Sequence, residues 1–335
     1  MRLNGEFVAE RVATHCKTRI KSCTDRGLRP PGLALVSVGH SDDGDKFVEQ
    51  VKSRAEKVGV QVFHYRFDYQ ERIGYIVDRV KRLIDELNKE SCIDGIVLVN
   101  PMNDFVDGKN LPISEYYTTR LRAMIVEDKD VDGCRPDIMA KLANPWYNPY
   151  QHPPAVCTGI FMLLDWYRIP LVTTPVTIIG RSPRVGRPLH QMFINRNAEV
   201  TMVHSKNHPD QIWQEMKASK IIVCAAGQPN LFAEDDIDLN EHPAIIQVGA
   251  KKVEDRMVGD FNFDYLDHFG DMNLIDHTYP VGDVGPMTCT ALLYQTTEAW
   301  ETHLHMKGDL LCQTKDLLDS KLRKEYEMWT NRWET

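Results

Sequence analysis

A chain of 335 residues with 42% hydrophobic and 26% charged residues is long enough for two domains of ordinary size and has the balance of a folded protein rather than a disordered one. Its formal charge of −8 repels phosphate backbones, which argues against charge-driven nucleic-acid binding by the surface as a whole. No apolar run approaches the ~20 residues needed to cross a bilayer, and the start, MRLNGEFVAERVATHCKTRI, lacks the uninterrupted apolar core of a secretory signal. Cys16, Cys23, Cys92, Cys134, Cys157, Cys224, Cys289 and Cys312 are scattered, with no C-x-x-C pair to suggest zinc or redox chemistry. They read as buried thiols in a reducing compartment, so the expected location is the cytoplasm or the mitochondrial matrix, not the outside of the cell.

Short β-branched runs alternate with helical periods, the pattern of parallel strands joined by crossover helices, and this predicts a two-lobed α/β fold. In the first half, strands are expected over 33–39, 60–67 and 94–100, with helices near 45–58 and 73–89. The prolines of NPWYNPYQHPP (144–154) forbid helix and favour an extended connection. CTGIFMLLDWYRI (157–169) then has helical apolar spacing and is expected to bridge the lobes. From 176 the alternation restarts, with strands over 176–180, 199–205, 220–227, 244–250 and 272–277. A helix through GPMTCTALLYQTTEAW (285–300) and a charged tail from about 303 close the chain.

VTIIGRSPRVGRPL (176–189) is an apolar strand, a turn containing Gly180 and Gly186, and Pro188 at the expected first helical position. Glycines between strand and helix let backbone N–H groups and the helix N-terminus approach a pyrophosphate closely. The same glycines also suit a plain strand-to-helix turn, since G-x-G-x-x-G is absent. The next strand ends in VHSK (203–206) without the acidic residue that grips an unphosphorylated ribose. With Arg181 and Ser205 available to a 2′-phosphate, the site leans towards NADP over NAD. The alternative is that Arg181, Arg184 and Arg187 form a solvated face.

Together, EDKDVDG (127–133), GRSPRVGRPL (180–189), EVTMVHSKN (199–207), CAAGQPN (224–230), VGD (258–260) and VGDVGPMT (281–288) resemble the methylenetetrahydrofolate dehydrogenase/cyclohydrolase family over roughly residues 3–300. The resemblance implies a folate-type α/β domain over 1–150 and a Rossmann-like NAD(P) domain over 151–300, flanking a cleft for the folate. A C-terminal helical extension over 301–335 follows. It also implies a homodimer, and it places Gly180, Arg181, Ser182, Gly186, Ser205 and Thr288 on the dinucleotide side. On the folate side it points to Asp132, Gly282, Val284 and Gly285.

The folate side departs from the family pattern. Its helix normally carries Tyr and Lys four residues apart, where this chain has Phe47 and Val51, with Gly44 for the preceding Ser. The third-strand motif has Val99 where the family has Gln. Val281 and Asp283 replace a Pro and a Gly, so a side chain is expected in space that glycine leaves free. Adding water to a methenyl carbon needs proton transfer and charge stabilisation, which Phe, Val and Val do not supply. Hydride transfer demands chiefly that two rings be held at the right distance. Lys46 and Lys52 are expected to be solvated. Asp132 reads either as a folate contact or as a turn former.

In the tail, Leu318, Leu322, Tyr326, Trp329 and Trp333 form one apolar helical stripe over 315–333, to be buried against the chain's own domain, a second copy or a foreign partner. Two functions remain open. One is a cyclohydrolase-inactive, NAD(P)-dependent methylenetetrahydrofolate dehydrogenase. The other is a silent homologue, with a vestigial cofactor site, serving as a structural subunit of a larger assembly.

Overall fold

The computed structural model describes residues 1–67, 73–106, 109–144, 152–254, 256–279 and 281–306. The helix expected over 315–333 and most of the 144–154 connection lie outside the described residues.

The chain opens with a helix that the strand pattern overlooked, α1 (Gly5–Thr24). Asn4 caps it by accepting from the Phe7 N–H at 3.0 Å, and Val8, Val12, Cys16, Ile20 and Cys23 make its buried stripe. There follow β1 (Gly32–Val38), α2 (Asp42–Val58), β2 (Gln61–Phe67), α3 (Ile73–Lys89) and β3 (Gly95–Leu98). All seven residues of β1 are buried, as expected of a central strand covered on both faces. Ser41 caps α2 by accepting from Gly44 N–H at 3.0 Å, three aspartates in its first turn favour the positive end of the helix dipole, and Gly59 ends it at φ 95°. The lobe is completed by a hairpin, β4 (Asn103–Val106) and β5 (Lys109–Pro112), and by α4 (Glu115–Met124) and α5 (Ile138–Leu142). Its three-stranded parallel sheet has the order β2-β1-β3.

The second lobe runs α6 (Ala155–Trp166), β6 (Pro175–Ile179), α7 (Gly186–Asn195), β7 (Glu199–Val203), α8 (Pro209–Lys217), β8 (Ile221–Cys224) and β9 (Ala244–Gln247). A hairpin, β10 (Ala250–Val253) with β11 (Arg256–Gly259), then leads to α9 (Phe263–Asp271), β12 (Asp276–His277) and α10 (Val284–Met306). Its five-stranded parallel sheet has the order β12-β9-β8-β6-β7. Among the described residues no helix is long and apolar enough to cross a membrane.

Two local expectations are corrected. The strand expected over 272–277 is only Asp276–His277, because α9 runs to Asp271 and Asn273 turns the chain at φ 56°. Helix α7 starts at Gly186, so Pro188 is its third residue rather than its first. The first four N–H groups of a helix have no intrahelical partner, and proline loses nothing there.

Helices α6 and α10 join the lobes. They cross closely enough that a Cβ on Gly159 would stand 2.9 Å from the Met287 backbone. Trp300 of α10 is fully buried and its indole N–H donates to the Arg29 carbonyl at 3.1 Å. One apolar cluster runs from Leu33, Val51 and Val97 of the first lobe through these helices to Ile178 and Val223 of the second.

Candidate active-site cleft

In each sheet the strand order reverses about a central strand, β1 in the first lobe and β6 in the second. Loops leaving the carboxyl ends of the strands diverge at such a reversal and open a crevice for a ligand. Around β6 the crevice lies between the turn 180–186 and the loop after β8. Gly180 has φ 118°, and a Cβ there would stand 2.5 Å from the Ala225 carbonyl oxygen. A Cβ on Gly186 would meet the Gly180 oxygen at 2.1 Å. Only glycine permits this approach.

Ser182 Oγ accepts from the N–H groups of Val185, at 3.1 Å, and Gly186, at 3.4 Å, and so shapes the turn that opens α7. Arg181 and Ser205, proposed for the phosphate side, are both exposed at the carboxyl ends of β6 and β7. Across the crevice, Asp260 accepts from Ala226 N–H and Gln228 N–H, each at 2.6 Å. The VGD motif drew attention to Asp260 without giving it a role; it ties down the 226–228 loop beside Gly180. Burial raises its pKa, against the pull of those N–H bonds. Gly227 and Gly282 both have positive φ and open space where a Cβ would point. A glycine-lined crevice at the strand ends, with a helix N-terminus beside it, fits a dinucleotide.

On the first lobe Val51 has 0% exposure and Val99 3%, both inside the main apolar cluster with Val131, Val284 and Met287. Phe47 is half-buried and packs against the same cluster. Gly44 is closed off: an added Cβ would stand 2.6 Å from Ser41 Oγ and 3.5 Å from Val99 Cγ1. Helix α10 covers this face of α2, with the Cys289 thiol 3.8 Å from Gln50 Oε1. Lys46 is exposed, and Lys52 Nζ donates to His64 Nδ1 at 3.1 Å on the edge strand β2, which leaves neither lysine in place of Val51.

The turn after the short 3-10 helix Glu127–Lys129 assigns different tasks to its two aspartates. Asp130 makes the turn, accepting from Cys134 N–H at 3.2 Å and Arg135 N–H at 2.9 Å, and burial pushes its pKa up to about 6. The Asp132 carboxylate is left for the cleft. It lies 3.7 Å from Nη2 of Arg184, which leans out of the nucleotide turn and crosses to the first lobe. Arg181 and Arg187 are exposed, as a solvated face requires, but Arg184 is half-buried and departs from it.

Asp283 also departs from expectation. Its side chain does not fill the substrate edge: it is fully buried and turned to the start of α1, accepting from Gly5 N–H at 2.7 Å, Tyr279 N–H at 2.7 Å and the Arg2 guanidinium at 3.2 Å. A buried carboxylate seeks such donors, and the positive end of α1 supplies one. Val281, Gly282 and Gly285 are left at the surface or partly so, Val284 is buried, and Thr288 Oγ donates to the Val284 carbonyl at 2.8 Å. The roles of Arg184 and Asp283 depend on contacts between segments far apart in the chain and carry no local sequence signal.

Two family models match in tandem. "Tetrahydrofolate dehydrogenase/cyclohydrolase, catalytic domain" matches residues 3–132, and "Tetrahydrofolate dehydrogenase/cyclohydrolase, NAD(P)-binding domain" matches residues 154–304. The bifunctional protein FolD of Aquifex aeolicus is 31% identical over 302 residues, covering 89% of this chain and 94% of that relative. The crystal structure of bifunctional 5,10-methylenetetrahydrofolate dehydrogenase/cyclohydrolase from Thermoplasma acidophilum is 28% identical, with a TM-score of 0.75, and covers 91% of this chain and 100% of that one. The Trypanosoma brucei dehydrogenase-cyclohydrolase complexed with NADP cofactor and inhibitor is 25% identical, with a TM-score of 0.77, covering 90% and 97%. Both halves of the family's architecture are therefore present in order, and the chain belongs to the tetrahydrofolate dehydrogenase/cyclohydrolase family.

Proposed function

We propose that the chain is a cyclohydrolase-inactive member of this family that keeps the nucleotide half of its chemistry, as an NAD(P)-dependent methylenetetrahydrofolate dehydrogenase. The observation that carries this is Val51, at 0% exposure inside the core, at the position where the family resemblance implies a lysine. Neither Val51 nor Val99 offers a proton or a donor, and hydrolysis of a methenyl bridge needs both. A bound dinucleotide supplies the hydride acceptor. This chain's own part is to cradle the dinucleotide between Gly180, Ser182, Gly186 and Thr288 and to present the folate from the side of Asp132, Gly282, Val284 and Gly285. Arg181 and Ser205 support NADP over NAD, since a guanidinium and a hydroxyl suit a 2′-phosphate. The working unit is a homodimer, divided as 1–150, 151–300 and a tail over 301–335, in the cytoplasm or mitochondrial matrix.

Two assays test the proposal. Purified protein is expected to reduce NADP in the presence of methylenetetrahydrofolate and to leave methenyltetrahydrofolate at its uncatalysed rate of hydrolysis. Enzymatic hydrolysis above that rate sinks it.

A second reading, a silent subunit of a larger assembly, is favoured by one observation: Asp132, the acidic group kept on the folate side, is already engaged by Arg184. Purification from the native source at low stringency separates the two, a free dimer supporting the enzyme and stable recovery within a large complex supporting the subunit.

A further inference from the structure

Arg184 belongs to the nucleotide turn, two residues after Ser182 and two before Gly186, yet its charged end meets the other lobe. Its main chain is fastened where it stands: the Arg184 carbonyl lies 3.9 Å from the Cys157 thiol, and the next peptide is held by Ser182. Its side chain is less firmly fixed. At 3.7 Å the contact to Asp132 is a charge pair rather than a fitted hydrogen bond, and Nε is buried with no acceptor. The two side chains are 40% and 15% exposed, so the pair is reachable from solvent.

Charge states agree with the pairing. Burial works against the Arg184 cation, but Cys134 and Asp132 beside it outweigh burial and raise its pKa. Burial and the Asp132 charge together push the Cys134 thiol well above its usual range. Held neutral, the thiol serves Arg184 only as a hydrogen-bond partner, which leaves the Asp132 carboxylate as its counter-charge.

We infer that Arg184 is a specificity-determining residue of the cleft: by occupying the Asp132 carboxylate, it competes with any neutral N–H donor face, such as that of a reduced pterin ring, for the same oxygen atoms. This rests on the reading above that folate is presented from the Asp132 side. A pterin amine must displace a full cation to reach Asp132, whereas the same ring would meet a free carboxylate if position 184 were uncharged. Arginine in this place trades folate affinity for a tie between the lobes.

The test is tetrahydrofolate affinity, measured anaerobically by titration calorimetry on the full chain. Arg184→Met, which keeps the apolar stem, is expected to bind up to about fivefold more tightly than wild type, the upper end of what an exposed ion pair is worth. Arg184→Lys, which keeps the charge, is expected to stay near wild type. In the Asp132→Asn background, the gain from Arg184→Met is expected to vanish. Should Arg184→Met not fold, Arg184→Gln carries the same comparison. Affinity that is unchanged or weaker without the charge, or a gain that persists in the Asp132→Asn background, overturns the inference. The hydrolysis assay of wild type is independent of this outcome: turnover there removes the proposed function and leaves the affinity comparison standing.

Discussion

The imidazole of His303 and the carboxylate of Asp94, 209 residues apart in the chain, share a 2.9 Å hydrogen bond that fastens the last described turn of α10 to the foot of β3. Asp94 also takes both arms of the Arg29 guanidinium, at 2.6 and 2.7 Å, and the Gly32 N–H at 2.9 Å, while the second ring nitrogen of His303 lies 3.2 Å from Asp128.

This arrangement predicts a pH window. Burial opposes the His303 cation, but the hydrogen bonds to Asp128 and Asp94 outweigh it and raise its pKa above 6.5, so its contribution is full below 6.5 and is lost as pH rises through the raised value. Asp94 is buried, which alone would raise its pKa, yet Arg29, His303 and Gly32 hold it below 3.8; its contribution is present above 3.8 and is lost as pH falls through the lowered value. Asp128 follows Asp94 in sign, lowered chiefly by its bond to His303. His303→Gln is expected to lose about 1.5–3 kcal/mol of stability at mildly acid pH. The difference from wild type should shrink in alkaline buffer, and urea unfolding in both buffers reads it.

Val51→Lys puts an ammonium where there is 0% exposure. An unpaired buried charge costs about 3–5 kcal/mol. The expected result is a large drop in melting temperature with no gain of hydrolysis, even when combined with Phe47→Tyr. A neutral outcome in thermal unfolding means that the space beside α2 is open to water, and the proposed absence of cyclohydrolase chemistry then loses its structural ground.

At the nucleotide turn, Gly180→Ala forces a Cβ against the Ala225 carbonyl at φ 118°. Strain of about 1–3 kcal/mol is expected, together with loss of the thermal shift that NADP is expected to give wild type. Arg181→Ala tests a narrower point: it should weaken NADP by about tenfold or more and NAD much less, since a bond to a charged phosphate is worth about 1.5–3 kcal/mol. Equal losses for both cofactors contradict the assignment of Arg181 to the 2′-phosphate.

Asp283→Ala removes the acceptor of Gly5, Tyr279 and Arg2 together. Leaving buried donors unsatisfied costs about 1–3 kcal/mol each way such a group is stranded. The measurable outcome is a lower melting temperature and faster proteolytic cutting near residue 282, with dinucleotide affinity retained.

How far the sequence could be read depended on whether a residue's task is local. The β-branched runs at 33–39 and 176–180 and the caps and glycines around them declared strands and turns, because burial and φ leave their mark on adjacent residues. Helix α1 has a regular stripe from Val8 to Cys23 but lies ahead of the first β-branched run at Leu33, so no strand-helix alternation marks it. Phe47 and Val51, one turn apart on the apolar face of an amphipathic helix, could be read as inward-facing residues that something must cover, but the cover itself could not, because only the packing of α10 against α2 supplies it. Asp283 differs from expectation for a similar reason: a substitution at a glycine position suggests an obstruction, while the backbone it actually serves, Gly5, lies 278 residues away. Arg184 carried no signal at all within its turn.

The apolar cluster that passes through α6 and α10 has a mechanical consequence. Leu33 and Val97 on one sheet and Ile178 and Val223 on the other belong to the same packed body, so neither sheet can lose its cover without exposing the other's. Calorimetry of the intact chain should therefore show a single heat-absorption peak rather than two. A fragment cut between residues 144 and 154 should precipitate rather than fold, and opening of the crevice is confined to loops at the strand ends, with no swing of whole lobes about a hinge.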